Sequence, residues 1–295
     1  MIGSRRIPSP LTMLNYFLLL LIALVTLYPF WYVVMYALSS YQEVLGKGAI
    51  IRPYGFTFAS VKAVIQNPMI GTAYMNTLIV VVVGTLLSIV VTALFSYPLA
   101  RQVRGTKFFS IFIYITMLFS GGMIPTFYVV RLTGLIDSLW SLIIPALVSP
   151  FYVFIMRNFF RNIPSEIQES ADVDGASELR IFLSIVLPLS IPVIASISLF
   201  YAVMYWNKFF DAIIYIKSAD KRPLQLILRE MVTSASTEMF DSVIAGLQGE
   251  ARQGDVTPTS LKMATVTVAV VPVMCIYPFV QKYFVKGVLL GAVKS

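Results

Sequence analysis

Six apolar stretches, each long enough to cross a bilayer as a helix, dominate this 295-residue chain. A spanning helix needs about 20 mostly apolar residues, because each rises about 1.5 Å and the hydrocarbon core is about 30 Å thick. The stretches cover residues of about 11–38, 72–99, 108–130, 138–156, 187–206 and 263–280. The first contains FLLLLIALVTLYPFWYVVMYAL and the second LIVVVVGTLLSIVVTALF. The third is broken by Ser120-Gly121-Gly122-Met123-Ile124-Pro125. The first is too long, and lacks the small-residue cleavage site, for a removed signal peptide. In lipid every backbone polar group needs an internal partner, so such runs fold as helices. The expectation is an all-α integral membrane protein with residues 1–295 as a single transmembrane domain.

Composition agrees and excludes other classes. The chain is 58% hydrophobic and 12% charged, with mean hydropathy +0.83. Soluble domains run at about 45–50% apolar and roughly 25% charged. A soluble enzyme, a disordered regulator and a nucleic-acid-binding module are thereby set aside. The net charge of +8 fits loops that face an anionic cytoplasmic leaflet. With no histidine and only Cys275, internal disulfides, His-based metal sites and Ser–His or Cys–His catalysis are excluded. No Asp, Glu, Lys or Arg falls near the middle of a stretch. Proton relays and ion-coupled carriers keep such groups there, so the driving force is expected to come from another chain. Six spans put both termini on one side. The 22 Lys and Arg divide evenly between the two sides, but seven on the second side border or occupy the long loop 207–262. Long loops count for little in setting orientation. The short loop Arg101–Lys107, with three cations in seven residues, puts the termini in the cytoplasm.

Between the fourth and fifth stretches lies the segment 157–186, cytoplasmic in this topology. Its part Ser165–Arg180 (SEIQESADVDGASELR) is too short and polar to span. Ser165 and Gln168 have capping-box spacing, which predicts a helix start. Gly175 in mid-segment costs about 1 kcal/mol relative to Ala in a helix, so it signals close backbone approach or a sharp turn between two short helices. A plain surface helix between spans also fits.

Glu169-Ser170-Ala171, then three residues, Gly175, nine residues and Ile185-Val186-Leu187-Pro188 resemble the EAA loop of binding-protein-dependent ABC importer permeases. That signature reads E-A-A, three residues, G, nine residues, I-x-L-P; the one departure is Ser170 for the first Ala. Asn158-Phe159-Phe160 with Ile163-Pro164, Trp206-Asn207-Lys208-Phe209, and the tail Gln281–Gly287 with Gly291-Ala292-Val293-Lys294 resemble flanking motifs of the maltose-type carbohydrate permeases. Six spans suit the smaller subunit of such a pair. SGGMIPTFYVV and KRPLQLILREMV are similar to a subgroup for complex, uronate-containing oligosaccharides.

The resemblance implies a type I ABC importer permease fold in which Glu166–Arg180 is a coupling helix held in a cleft of a cytoplasmic ATPase dimer. Glu166, Glu169, Ser170, Ala171, Asp172, Gly175, Ala176, Leu187 and Pro188 are the implied coupling residues. Glu169 positions the docked helix, and Ala171 and Gly175 allow close packing. Gly291 and Lys294 are implied to touch the same ATPase. The sequence has no G-x-x-x-x-G-K-[ST], so ATP and Mg belong to the partner and this chain is a non-catalytic subunit. A second permease, an extracytoplasmic solute-binding protein and an oligosaccharide complete the implied set, in a bacterial cytoplasmic membrane.

Sugars present apolar faces that stack on rings and hydroxyls that need hydrogen bonds. Tyr201, Tyr205, Trp206, Asn207 and Phe210, with Ser120 and Tyr128, are therefore candidates for the substrate path. An interfacial aromatic belt and, at Ser120, the satisfaction of backbone freed by a kink are the plainer readings. The loop 207–262, with Pro223–Leu228, fits a solvated cap or a surface for the binding protein. A permease for a polyol or glycerol phosphate remains open within the class. A secondary carrier is disfavoured by the missing intramembrane charges.

Overall fold

The computed structural model describes residues 10–48, 50–233, 256–272 and 274–275. Among these the regular structure is helical, apart from one isolated antiparallel bridge between Ser39 and Phe56. The chain divides into two compact units, Met1–Asn67 with Met231–Val271 and Pro68–Glu230 with Pro272–Ser295.

The first unit contains α1 (Pro10–Ala37), α2 (Tyr41–Val44), α3 (Ala59–Gln66) and a helical stretch from residue 258. α1 is apolar all round and exposed along nearly its whole length, as befits a helix whose surroundings are lipid. Among the described residues its C-terminal end packs, where Met35 joins Val44 and Ile50 in a small core.

The second unit opens with α4 (Pro68–Ala100), α5 (Thr106–Leu118), α6 (Met123–Leu132), α7 (Trp140–Ile143) and α8 (Pro150–Arg161). It continues through α9 (Ser165–Val173), α10 (Glu178–Ile181), α11 (Leu187–Leu189), α12 (Ile191–Trp206), α13 (Phe209–Tyr215) and the start of α14 (Leu224–Thr233). A 3-10 turn, Ile144–Ala146, follows α7, and a π-helical turn, Phe182–Val186, joins α10 to α11.

α4, with 33 residues, is about 50 Å long and forms the spine of this unit. Its buried face carries Gly84, Ser88, Thr92 and Ser96, one every four residues. Small residues at that spacing let helices approach closely in a membrane. Tyr205 and Tyr201 of α12 fill the seam: the Tyr205 hydroxyl pairs with Ser88 Oγ at 2.9 Å and the Tyr201 hydroxyl with Thr92 Oγ1 at 2.8 Å. Ser96 Oγ donates across to the Val153 carbonyl of α8 at 3.0 Å. Polar groups buried in an apolar seam thus find partners on the facing helix.

Of the expected spans, α1 and α4 are each long and apolar enough to cross a membrane. The third breaks where the Ser120–Pro125 motif predicts, but α5 and α6 turn by 114° there and do not form one rod. The fourth and fifth also depart from straight runs. α7 with its 3-10 turn meets α8 at 54°, and α10–α11 meets α12 at 79°. Prolines supply the reason: Pro145 and Pro150 flank the first bend and Pro188 and Pro192 the second, each removing a backbone donor. Counting each bent pair as one span gives up to five among the described residues. The sixth, 263–280, lies partly outside them. Within the expected loop 207–262, the described residues form α13 and α14.

Candidate functional site

The polar segment after α8 is two short helices around a tight turn. α9 starts at Ser165, but the expected capping box is not formed. Pro164 occupies the cap position at φ −53° and ψ 130°, and no side chain caps the helix. Gln168 points inward instead and is 8% exposed. The far end of α9 is closed by a Schellman motif. The Ala176 N–H donates to the Ala171 carbonyl at 3.0 Å and the Gly175 N–H to that of Asp172 at 3.1 Å. Gly175 sits at φ +76°, and a Cβ there would meet nothing within 4 Å. Within this chain, then, glycine is needed for its left-handed backbone and not for close packing. Ala171 and Ala176 do pack on the main core. Ser177 then caps α10, its side chain accepting from the Arg180 N–H.

Arg101, just past the end of α4, holds both helices. Its Nη1 donates to Gln168 Oε1 at 3.1 Å, and its Nη2 to Asp172 Oδ2 at 3.1 Å and Glu178 Oε1 at 2.7 Å. Nε donates to Glu178 Oε2 at 3.3 Å, and that oxygen also accepts from the Tyr97 hydroxyl at 2.6 Å. The Arg101 and Tyr97 hydrogen bonds hold the Glu178 carboxyl below its ordinary value, and the Glu178 bond in turn raises Arg101. The sequence reading used Arg101 only to orient the chain and missed Glu178. The available signal was Gln168 and Asp172, four apart and so on one face of a helix.

The opposite side of the segment is open. Glu166, Glu169, Ser170 and Asp174 are exposed, and so are three large apolar side chains of the segment, Ile167 at 43%, Val173 at 87% and, in α10, Leu179 at 62% exposure. Ser170 Oγ donates to the Glu166 carbonyl at 2.7 Å. Leu187 and Pro188 lie in α11, away from this face in sequence, half-buried and exposed respectively. Gly291 and Lys294 lie outside the described residues.

A second polar cluster ties the far end of α4. Asn76 Nδ2 donates to the Asp220 carbonyl at 2.7 Å, and Thr77 Oγ1 accepts from the Leu224 N–H at 2.8 Å. The Asp137 carboxylate accepts from the N–H groups of Lys217 and Ser218 at 2.9 and 2.8 Å, from the Ser218 hydroxyl and from Lys221 Nζ. The Ser218 hydroxyl and these amides hold Asp137 far below its ordinary value. Thr77 and Tyr97 are about 20 residues apart, roughly 30 Å along a helix. The two polar clusters therefore bracket a stretch as long as a bilayer core is thick.

The candidates for the substrate path do not form one surface. Tyr201 and Tyr205 are buried in the α4–α12 seam, where Tyr201 also accepts from the Ser149 N–H at 3.0 Å and Tyr205 donates to the Ile143 carbonyl at 3.3 Å. Trp206 is half-buried, edge-on to Tyr74. Asn207 and Phe210 are exposed beside it, with Asn207 Nδ2 donating to the Val203 carbonyl at 2.8 Å. Tyr128 is exposed on α6, and Ser120 Oγ accepts from the Gly122 N–H at 3.2 Å at the α5–α6 break.

An all-helical membrane domain, with a paired-helix polar segment clamped beneath its longest span, is the architecture of an ABC importer permease. The chain belongs to the family of binding-protein-dependent transport system inner membrane components, whose model matches residues 94–290. It is 42% identical over 288 residues to the polygalacturonan/rhamnogalacturonan transport system permease protein YtcP of Bacillus subtilis, covering 96% of this chain and 98% of that one. It is 40% identical to the B. subtilis protein LplC, with 92% and 90% covered. A crystal structure of a bacterial ABC transporter involved in the import of the acidic polysaccharide alginate contains a chain that superposes with TM-score 0.86. That chain is 28% identical, with 96% of this chain and all of that one covered.

Proposed function

We propose that this chain is a permease subunit of an ATP-driven, binding-protein-dependent importer of acidic, uronate-containing oligosaccharides. The observation that carries the coupling part is the exposed side of α9 and α10. Val173 of α9 and Leu179 of α10 stand exposed among carboxylates on a largely polar segment, the pattern of a docking surface. The face fits a cleft in a separate ATPase dimer, which binds ATP and Mg and does the hydrolysis. This chain contributes no catalytic group. Glu166, Glu169 and Ser170 rim the docked surface, and Gly291 and Lys294 reach the same ATPase from the tail.

Residues 1–295 act as a single transmembrane domain in a bacterial cytoplasmic membrane, with both termini cytoplasmic. A second, homologous permease supplies the other half of the path, and a solute-binding protein delivers sugar to the outer face. Trp206, Asn207, Phe210, Ser120 and Tyr128 are the path candidates with accessible surface. Tyr201 and Tyr205 serve the path by holding α12 against α4. The acidic substrate class is supported by the polygalacturonan/rhamnogalacturonan and alginate systems to which the chain is similar.

The test is reconstitution of the chain with the neighbouring permease, ATPase and binding protein in vesicles. ATP-dependent uptake of a galacturonic acid trisaccharide is expected, with less uptake of a neutral trisaccharide of equal length. Gly175→Arg should abolish stimulation of hydrolysis by loaded binding protein. Stimulation undiminished by that change would overturn the coupling assignment, and equal uptake of both sugars would overturn the substrate class.

A further inference from the structure

α9 follows α8 after residues 162–164, and Ala171 and Ala176 pack on the main core; two further routes connect the segment to the spans. One is covalent, through α10, the π-helical turn and α11 into α12. It is bent by 79°, contains Pro188 and Pro192, and carries the buried Ser190 hydroxyl without a hydrogen-bond partner. A connection with missing donors and a sharp bend is poorly suited to transmit a push. The other route is the Arg101 guanidinium. Its acceptors straddle the Gly175 turn, with Gln168 and Asp172 on one side and Glu178 on the other. From Arg101 the force enters α4 directly. It then reaches α12 through the Ser88–Tyr205 and Thr92–Tyr201 hydrogen bonds.

We infer that Arg101 is the positioning residue that makes α9, α10 and the end of α4 move as one body, so that displacement of the docked segment is delivered to the spans through α4. The inference rests on the importer reading above and adds the element that carries the motion. Three features support it. The Arg101 side chain is only 22% exposed, so its bonds are partly shielded from competing water. Its two bonds to Glu178 form a fork that lysine cannot reproduce. Gln168 is nearly buried and has Arg101 as its side-chain donor, so a lost guanidinium leaves an amide oxygen unpaired.

The full complex of this chain, its partner permease, the ATPase and the binding protein is compared for the native chain, Arg101→Gln and Arg101→Lys. The first readout is sugar moved per ATP hydrolysed, with the galacturonic acid trisaccharide as probe. The second needs no sugar: the change in amide exchange along residues 88–101 when the ATPase is trapped with ATP and vanadate. Arg101→Gln is expected to lower the transport-to-ATP ratio by about tenfold, the worth of one charge-assisted hydrogen bond, and to erase the exchange response of α4. Arg101→Lys keeps the charge but is expected to recover less than half of either readout. A native ratio and a native exchange response in Arg101→Gln would overturn the inference. Should Arg101→Gln fail to assemble, Glu178→Gln takes its place with an intermediate loss expected, and an unchanged exchange response there would overturn it equally. A native complex that hydrolyses ATP without moving the trisaccharide would count against the substrate class alone, and the exchange readout would still decide the role of Arg101.

Discussion

Replacing Gly84 by alanine tests whether the α4–α12 seam is as tight as its geometry implies. A Cβ at Gly84 would lie 2.8 Å from both Cε2 and Cζ of Tyr205 and 3.0 Å from Cδ2. Carbon atoms in comfortable contact are about 3.5–4.0 Å apart, so the ring would have to retreat by roughly 0.7 Å or more. The ring is held by its hydroxyl contacts to Ser88 at 2.9 Å and Ile143 at 3.3 Å and by the Tyr201 ring, 6.4 Å away between centroids. Overpacking of this kind costs about 1–3 kcal/mol. Alanine returns about 1 kcal/mol in helix propensity, which leaves a net loss of up to about 2 kcal/mol. Loss of the Ser88 bond on retreat would put the figure at the upper end. The assay is the unfolding midpoint of the purified complex for Gly84→Ala, Tyr205→Leu and the pair. The clash predicts that Gly84→Ala is costly beside tyrosine and nearly free beside leucine, a coupling that a double-mutant cycle isolates. Equal cost in both backgrounds would refute the reasoning.

Three further outcomes are expected of the same structure. Gly175→Ala should cost about 1 kcal/mol through the left-handed backbone alone, and Gly175→Asn less, measured as opening of residues 165–181 by amide exchange. Thr92→Val leaves the Tyr201 hydroxyl with Ser149 but without its partner on α4, and is expected to lower stability by about 1–2 kcal/mol in thermal unfolding of the complex. Because the Glu178 carboxyl is held below its ordinary value in the folded chain, its contribution is full above the ordinary carboxylate range and is lost as pH falls through the folded value. With 63% of that side chain exposed, the effect is under about 1 kcal/mol. Proteolysis of the α9–α10 segment should therefore quicken at about pH 4 relative to about pH 7, and Glu178→Gln should flatten the difference.

What could be read without coordinates was written in spacing. The distances from Glu169 to Gly175 to Pro188 encode a helix, a turn and a restart, and the structure puts a left-handed glycine at the turn. The break at Ser120–Pro125 was legible for the same reason, since glycine and proline act on their own backbone. Hydropathy has no direction, however, and so could not show that α5 and α6 turn by 114° or that α12 meets α11 at an angle. Pro145, Pro150, Pro188 and Pro192 were the overlooked clue. Tyr201 and Tyr205 resemble a membrane belt or a sugar platform in isolation. Their burial depends on Ser88 and Thr92, more than a hundred residues away, and no local pattern joins them. The capping box failed because Pro164 took the cap and Arg101 took Gln168, a tertiary partner displacing a local one. Arg101 itself looked like one more loop charge, because sequence shows its sign but not its acceptors.

The π-helical turn at Phe182–Val186 sets an angle as well as a length. An α-helix advances about 100° per residue, and a turn that closes over five residues holds about one more than an α-turn. Everything N-terminal to it is thus out of phase with α11 by about one residue's rotation. The direction in which α10 presents Glu178 and Leu179 is fixed by that offset, independently of how α12 faces α4. Phe182 and Val186, both buried at its two ends, lock the offset in place. Removal of one residue from this stretch would act as a twist applied to the docking face, with the helix beyond it left where it is.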